Sequence, residues 1–133
     1  MALTVKPSDF GISADDWHVL ERASPSLLIV GSDSDTSQLL QALVPTLQPP
    51  VVWCSSRQFA LPRDRVGTLV LQHAADLSLD SQDALLRWLQ ENAHPSLRII
   101  TTTPVSLLPR VDQGLFLDNL YYRLNVMCLF VGV

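Results

Sequence analysis

Five short apolar runs, SLLIV (26–30), VVWC (51–54), GTLVL (67–71), LRIITT (97–102) and VMCLFV (126–131), limit how this chain can fold. None shows the strict apolar/polar alternation of a strand with one wet face, so each reads as a strand buried on both sides. The stretches between them carry helical signals. Ser13-Ala14-Asp15-Asp16 has capping spacing ahead of a helix through about Ala23, with Trp17 and Leu20 inward and Pro25 ending the segment. A second helical pattern spans 37–44. In 80–92, Ala84, Leu85, Trp88 and Leu89 share one face, Leu86 widens it, and Asp80 or Ser78 supplies the cap. A short helix over 116–124 ends near Asn125. Strands alternating with helices predict one α/β domain over 1–133, a mainly parallel five-stranded sheet covered on both faces. Trp53 and Trp88 are expected in the core.

Charge and cysteine usage narrow the function classes. The chain has a net charge of −4, and its nine Lys and Arg are scattered, which argues against a nucleic-acid surface. Cys54 and Cys128 lie in apolar runs without metal-ligand spacing, so they read as buried, reduced thiols. MALTVKPSDF has no apolar signal core, and no apolar run approaches the roughly 20 residues that span a bilayer. The expectation is a cytoplasmic protein without membrane contact.

The loop after the first strand, Gly31-Ser32-Asp33-Ser34-Asp35-Thr36-Ser37-Gln38, occupies the place where such sheets hold phosphate. Together with GTLVLQHAADLSLDSQDALLRWLQE, LRIITTTP and QGLFLDNLYYRLNV, it resembles the AAA+ domain of sigma-54-dependent transcriptional activators, the sigma-54 interaction domain of the P-loop NTPases. The resemblance runs in order over 26–131 and is most specific in 67–91 and 114–126. It implies a three-layer AAA+ core. It also says where ATP chemistry would lie.

At each of those places the residue differs. Gly31 holds the first glycine position of the P-loop, but Thr36 and Ser37 stand where the family has its second glycine and its lysine. Asp33 and Asp35 add carboxylates, each repelling a phosphate charge at about 6 Å by roughly 3 kcal/mol before salt screening. Gln72 and His73 replace the acidic pair that holds magnesium and activates water. Pro104 stands at the polar sensor position. Of the family's two arginines directed at a neighbouring subunit, the first is Leu117 and the second is Arg123. The interval from Ser37 to Gln72 is too short for the intervening helix and the GAFTGA loop that grips the sigma factor, and the chain stops before the helical lid.

The resemblance therefore implies a core without catalytic residues, without an ATP or magnesium cofactor and without direct sigma-54 contact. Its expected partner is a protein: a second copy or an intact AAA+ activator. Tyr121, Tyr122 and Arg123 are the interface candidates, since aromatic residues and arginine are enriched at interfaces. The alternatives are a nucleotide-binding switch without hydrolysis and a fragment with no selected role. For Arg123 the competing reading is a helix-end cap or a nearby acid, and for the tyrosines it is helix packing. His73 with Asp76 has no nucleophile placed beside it, Ser55-Ser56-Arg57 reads as a solvated loop, and His18, His73 and His94 show no metal-site pattern.

Overall fold

The computed structural model describes residues 10–23, 25–92, 94 and 96–132. Its strands are Leu27–Val30 (β1), Val51–Ser55 (β2), Thr68–Gln72 (β3), Arg98–Thr103 (β4) and Met127–Phe130 (β5). Each apolar run is a strand, displaced by at most one residue at either end. All pairings are parallel, in the order β2-β3-β4-β1-β5.

The central strands are buried almost throughout, which is why they carry no polar alternation. Their side chains alternate between two cores. Leu28, Val30, Leu69, Leu71 and Ile99 face α3 (Leu79–Glu91) and α5 (Asp118–Leu124), meeting Leu85, Trp88, Leu89, Leu120 and Leu124. Leu27, Ile29, Val70, Ile100 and Leu129 face α1 (Ala14–Ala23) and α2 (Asp33–Leu43), meeting Trp17, Leu20, Leu39, Leu40 and Leu43. Each fully buried leucine contributes about 1.5–3 kcal/mol. The result is the expected three-layer α/β arrangement.

The caps follow the sequence signals. The Asp16 amide donates to Ser13 Oγ at 3.1 Å, and of the two candidates for α3 it is Ser78 that accepts, from the Ser81 amide at 3.1 Å. Trp88 is buried, with its indole N–H donating to the Pro62 carbonyl at 2.9 Å.

Several expectations are corrected. α2 begins at Asp33, four residues before Ser37, because Ser32 caps it. The last helix begins at Asp118 rather than at 116, and Phe116 packs into the core ahead of it. A single-turn helix, α4 (Leu108–Asp112), has no counterpart among the expected elements; Pro109 sits in its first turn, where its missing N–H leaves no bond unmade. Trp53 is 49% exposed, because β2 is an edge strand and no helix lies between β2 and β3 to cover it. Cys54 is buried as expected, whereas Cys128, on the opposite edge strand, is only half-buried; burial raises both thiol pKa values.

Candidate functional site

In a parallel sheet the ligand crevice lies beyond the carboxyl ends of the strands. The sequence-predicted positions Gly31, Thr36 and Ser37, after β1, and Gln72, the last residue of β3, with His73 after it, all stand at that end.

The turn after β1 is closed on itself. Ser32 Oγ accepts from the Asp35 amide at 3.2 Å and donates to Asp35 Oδ2 at 2.9 Å, a reciprocal cap built within one helical turn. The Gly31 amide donates to the Thr103 carbonyl at 3.1 Å, and the Thr36 amide donates to the Ser32 carbonyl at 2.9 Å. Thr36 is buried and its hydroxyl donates to the Asp33 carbonyl at 3.3 Å, while Ser37 is exposed on α2. A phosphate-binding turn needs amides that point into an open concavity. Here Asp33 through Ser37 are helical, and Asp33 and Asp35 place negative charge at the positive end of the helix dipole.

The glycine has its own structural cause. A Cβ at Gly31 would lie 2.5 Å from Val131 Cγ2 and 3.0 Å from the Val131 carbonyl oxygen. Close approach of the chain after β5 demands glycine there, with or without phosphate. That segment continues over the cap: Gly132 has φ of +75°, a Cβ on it would overlap the Asp35 carboxylate, and its amide donates to the Phe10 carbonyl at 3.3 Å.

His73 terminates β3 in the left-handed region, at φ 57° and ψ 45°. Its Nδ1 lies 3.7 Å from Asp33 Oδ1, so its acidic neighbour is Asp33 across the crevice and not Asp76 on its own loop. Gln72 is half-buried, and its carbonyl accepts from the Ser56 amide at 3.3 Å. Pro104 is exposed beyond β4, where Thr103 Oγ1 donates to the Val105 carbonyl at 2.7 Å. Among the described residues no group of three or more His, Cys, Asp or Glu side chains is arranged to hold a metal. No described helix is long and apolar enough to cross a membrane.

The interface candidates separate. Arg123 Nη2 donates to the Leu89 carbonyl in the last turn of α3 at 3.4 Å, a helix-end contact. Tyr121 is half-buried, its hydroxyl accepting from Asn125 at 3.2 Å, and burial raises its pKa. Tyr122 is 71% exposed and meets Tyr121 edge-on at 5.6 Å. Sequence reasoning missed Gln82, which is fully buried. Its Nε2 donates to the Leu77 and Leu115 carbonyls at 3.0 and 2.9 Å, and its Oε1 accepts from the Leu117 amide at 2.8 Å. Its place one turn before Leu85 on the inward face was the available signal.

The family model for the sigma-54 interaction domain matches residues 48–132. Among curated relatives, the DNA-binding transcriptional regulator NtrC of Rhizobium meliloti is 38% identical over 47% of this chain and 15% of its own length. The C4-dicarboxylate transport transcriptional regulatory protein DctD of Pseudomonas aeruginosa is 44% identical over 47% of this chain and 16% of its own. The chain thus matches only a small part of these relatives. Among solved structures, NtrX from Brucella abortus in complex with ADP superposes with a TM-score of 0.68 at 20% identity, covering 98% of this chain and 38% of that one. The P-loop NTPase domain of a sigma-54 activator from E. coli superposes at 0.59 and 19% identity, over 90% of this chain and 97% of that one. At such identities these likenesses bear on the fold.

Proposed function

Because the chain belongs to the sigma-54 interaction domain family, we propose that it is an AAA+ core of the activator type that does not hydrolyse ATP and acts in transcription regulation by binding protein. One observation carries the reading: the helix end where the family would hold phosphate is capped from within by Ser32 and Asp35, and Asp33 faces His73 beside it. An entering triphosphate would have to displace the Ser32 cap and face two carboxylates. Gln72 and His73 offer neither the carboxylate that a hard cation favours nor the base that activates water. The short link from β2 to β3, with no helix and no GAFTGA sequence, supports the absence of a sigma-54 grip. For the protein contact the exposed Tyr122 ring is the strongest candidate, with Tyr121 and Arg123 as its support. The partner is a second copy or an intact AAA+ activator.

The test is calorimetric titration with ATP and magnesium, together with a phosphate-release assay and co-elution with sigma-54. The expected outcome is no saturable heat, no release above background and no co-elution. Magnesium-dependent release that survives repurification overturns the reading. Saturable ATP binding without release would favour a nucleotide-binding switch instead.

A further inference from the structure

At the β2 edge the hydrogen-bond ladder fixes which backbone groups are spare. The Pro50 carbonyl accepts from the Thr68 amide at 3.1 Å and the Ser56 amide donates to the Gln72 carbonyl at 3.3 Å, so the even-numbered residues of this strand face β3. Val51 and Trp53 therefore turn their N–H and C=O groups outward, where no described residue takes them. The Ser55 amide, also outward, donates to the Gln58 carbonyl at a long 3.5 Å. Within Val51–Ser55 there is neither a charged residue nor a proline, the usual guards of an open edge.

The two faces beside this edge differ. Val51 packs against the core under α1 and α2, so Trp53, two residues on, shares that face and leaves its indole exposed. The other face carries the link 56–66. Phe59, Leu61 and Val66 pack against the core under α3, and Cys54 Sγ donates to the Gln58 carbonyl at 3.9 Å, which lays the link over Cys54. That link holds Arg57, Arg63 and Arg65 against Asp64 alone, in a chain whose net charge is −4. All four are exposed, and no ion pair ties Arg57 or Arg63 to a described carboxylate. A strand added at β2 presents one set of alternate side chains to an indole and the other to guanidinium groups. A second copy fits poorly, because in a two-fold antiparallel pairing VVWCS supplies no acid and brings a second arginine link alongside the first.

We propose that the β2 edge takes an extended segment of another protein that alternates acidic and apolar residues. Its backbone bonds to Val51 and Trp53, its apolar side chains lie on the Trp53 indole, and its acids turn toward Arg57 and Arg63. This surface is separate from the Tyr122 contact and from the ATP reading, and the outcome of those tests does not decide it. The probe is a capped seven-residue peptide alternating glutamate and valine, added to the whole chain at constant ionic strength. Trp53 is followed by amide hydrogen exchange and by iodide quenching of its indole. Saturable binding at ~1 mM or tighter is expected. At saturation the Trp53 amide should exchange about tenfold more slowly, with its indole shielded from iodide. A peptide with lysine in place of glutamate should bind about tenfold more weakly, and Arg57→Glu together with Arg63→Glu should reverse that preference. Methylating the peptide nitrogens that face β2 should abolish binding, which separates strand addition from loose charge attraction. No saturable change at Trp53, equal binding of the two peptides, a preference unmoved by the paired arginine substitutions, or full binding by the methylated peptide overturns the proposal. Protection of the Trp53 amide that grows with protein concentration in the absence of peptide would make a second copy the occupant, and overturns it too.

Discussion

Gly31 shows how one residue can satisfy a motif for an unrelated reason. It matches the first glycine of a phosphate loop, but the Val131 side chain and carbonyl already leave no room for a Cβ. Gly31→Ala is therefore expected to cost about 1–3 kcal/mol through overpacking, read as a lower urea midpoint that ATP does not restore. An unchanged midpoint would return the glycine to a role in phosphate binding. Trp53 shows the converse, an apolar residue that the local pattern sends to the core. VVWC is as apolar as the central runs, and only the strand order makes it an edge. Trp53 is 49% exposed while Trp17 and Trp88 are 6% and 8%, so iodide is expected to quench the fluorescence of one tryptophan of the three. Trp53→Phe should remove the quenchable fraction. Quenching that persists undiminished in that variant contradicts the edge placement.

At the scale of elements, the strands were legible because burial on both faces suppresses alternation, and the long helix because its apolar stripe repeats over three turns. The start of α2 was not. Reading 31–38 in the register of a phosphate loop hid a plain capping signal, Ser32 with Asp35 three residues on, which the chain uses. Ser32→Ala is expected to destabilise the fold by about 1 kcal/mol. An equal midpoint for this variant and the parent would mean that the cap carries no weight. Gln82 was illegible for another reason: its partners are backbone groups of Leu77, Leu115 and Leu117, and 115 and 117 lie far along the chain. Gln82→Leu keeps the apolar character of the face but strands two carbonyls and one amide, for an expected loss of about 2–4 kcal/mol. Hydrogen exchange should locate it: the Leu117 amide loses protection first, ahead of the central strands. Uniform loss across the sheet would speak against a local tie.

At the scale of the molecule, the phosphate-loop positions after β1 and the positions Gln72 and His73 at the end of β3 share the carboxyl end of the sheet, but the sequence could not say which groups were already committed. Arg123 illustrates this, since a motif register cannot show that its guanidinium reaches the Leu89 carbonyl at the end of α3. Tyr122 on α5 and Trp53 on the edge strand β2 are both exposed and stand on separate elements. That makes them separable by mutation, each tested by its own substitution. If association runs through α5, Tyr122→Ala should lower the light-scattering mass measured across a concentration series, while Trp53→Ser leaves it unchanged. Arg123→Ala should act more weakly on association and also cost some stability, since its hydrogen bond is made within the chain. The mixed experiment follows the same division: the parent protein added in excess to an activator ATPase is expected to slow it, and Tyr122→Ala to relieve that effect. A strict monomer that leaves the ATPase rate unchanged ends the proposal of a protein-binding core. Loss of mass in Trp53→Ser alone would instead move the interface to the edge strand that the short β2–β3 link leaves bare.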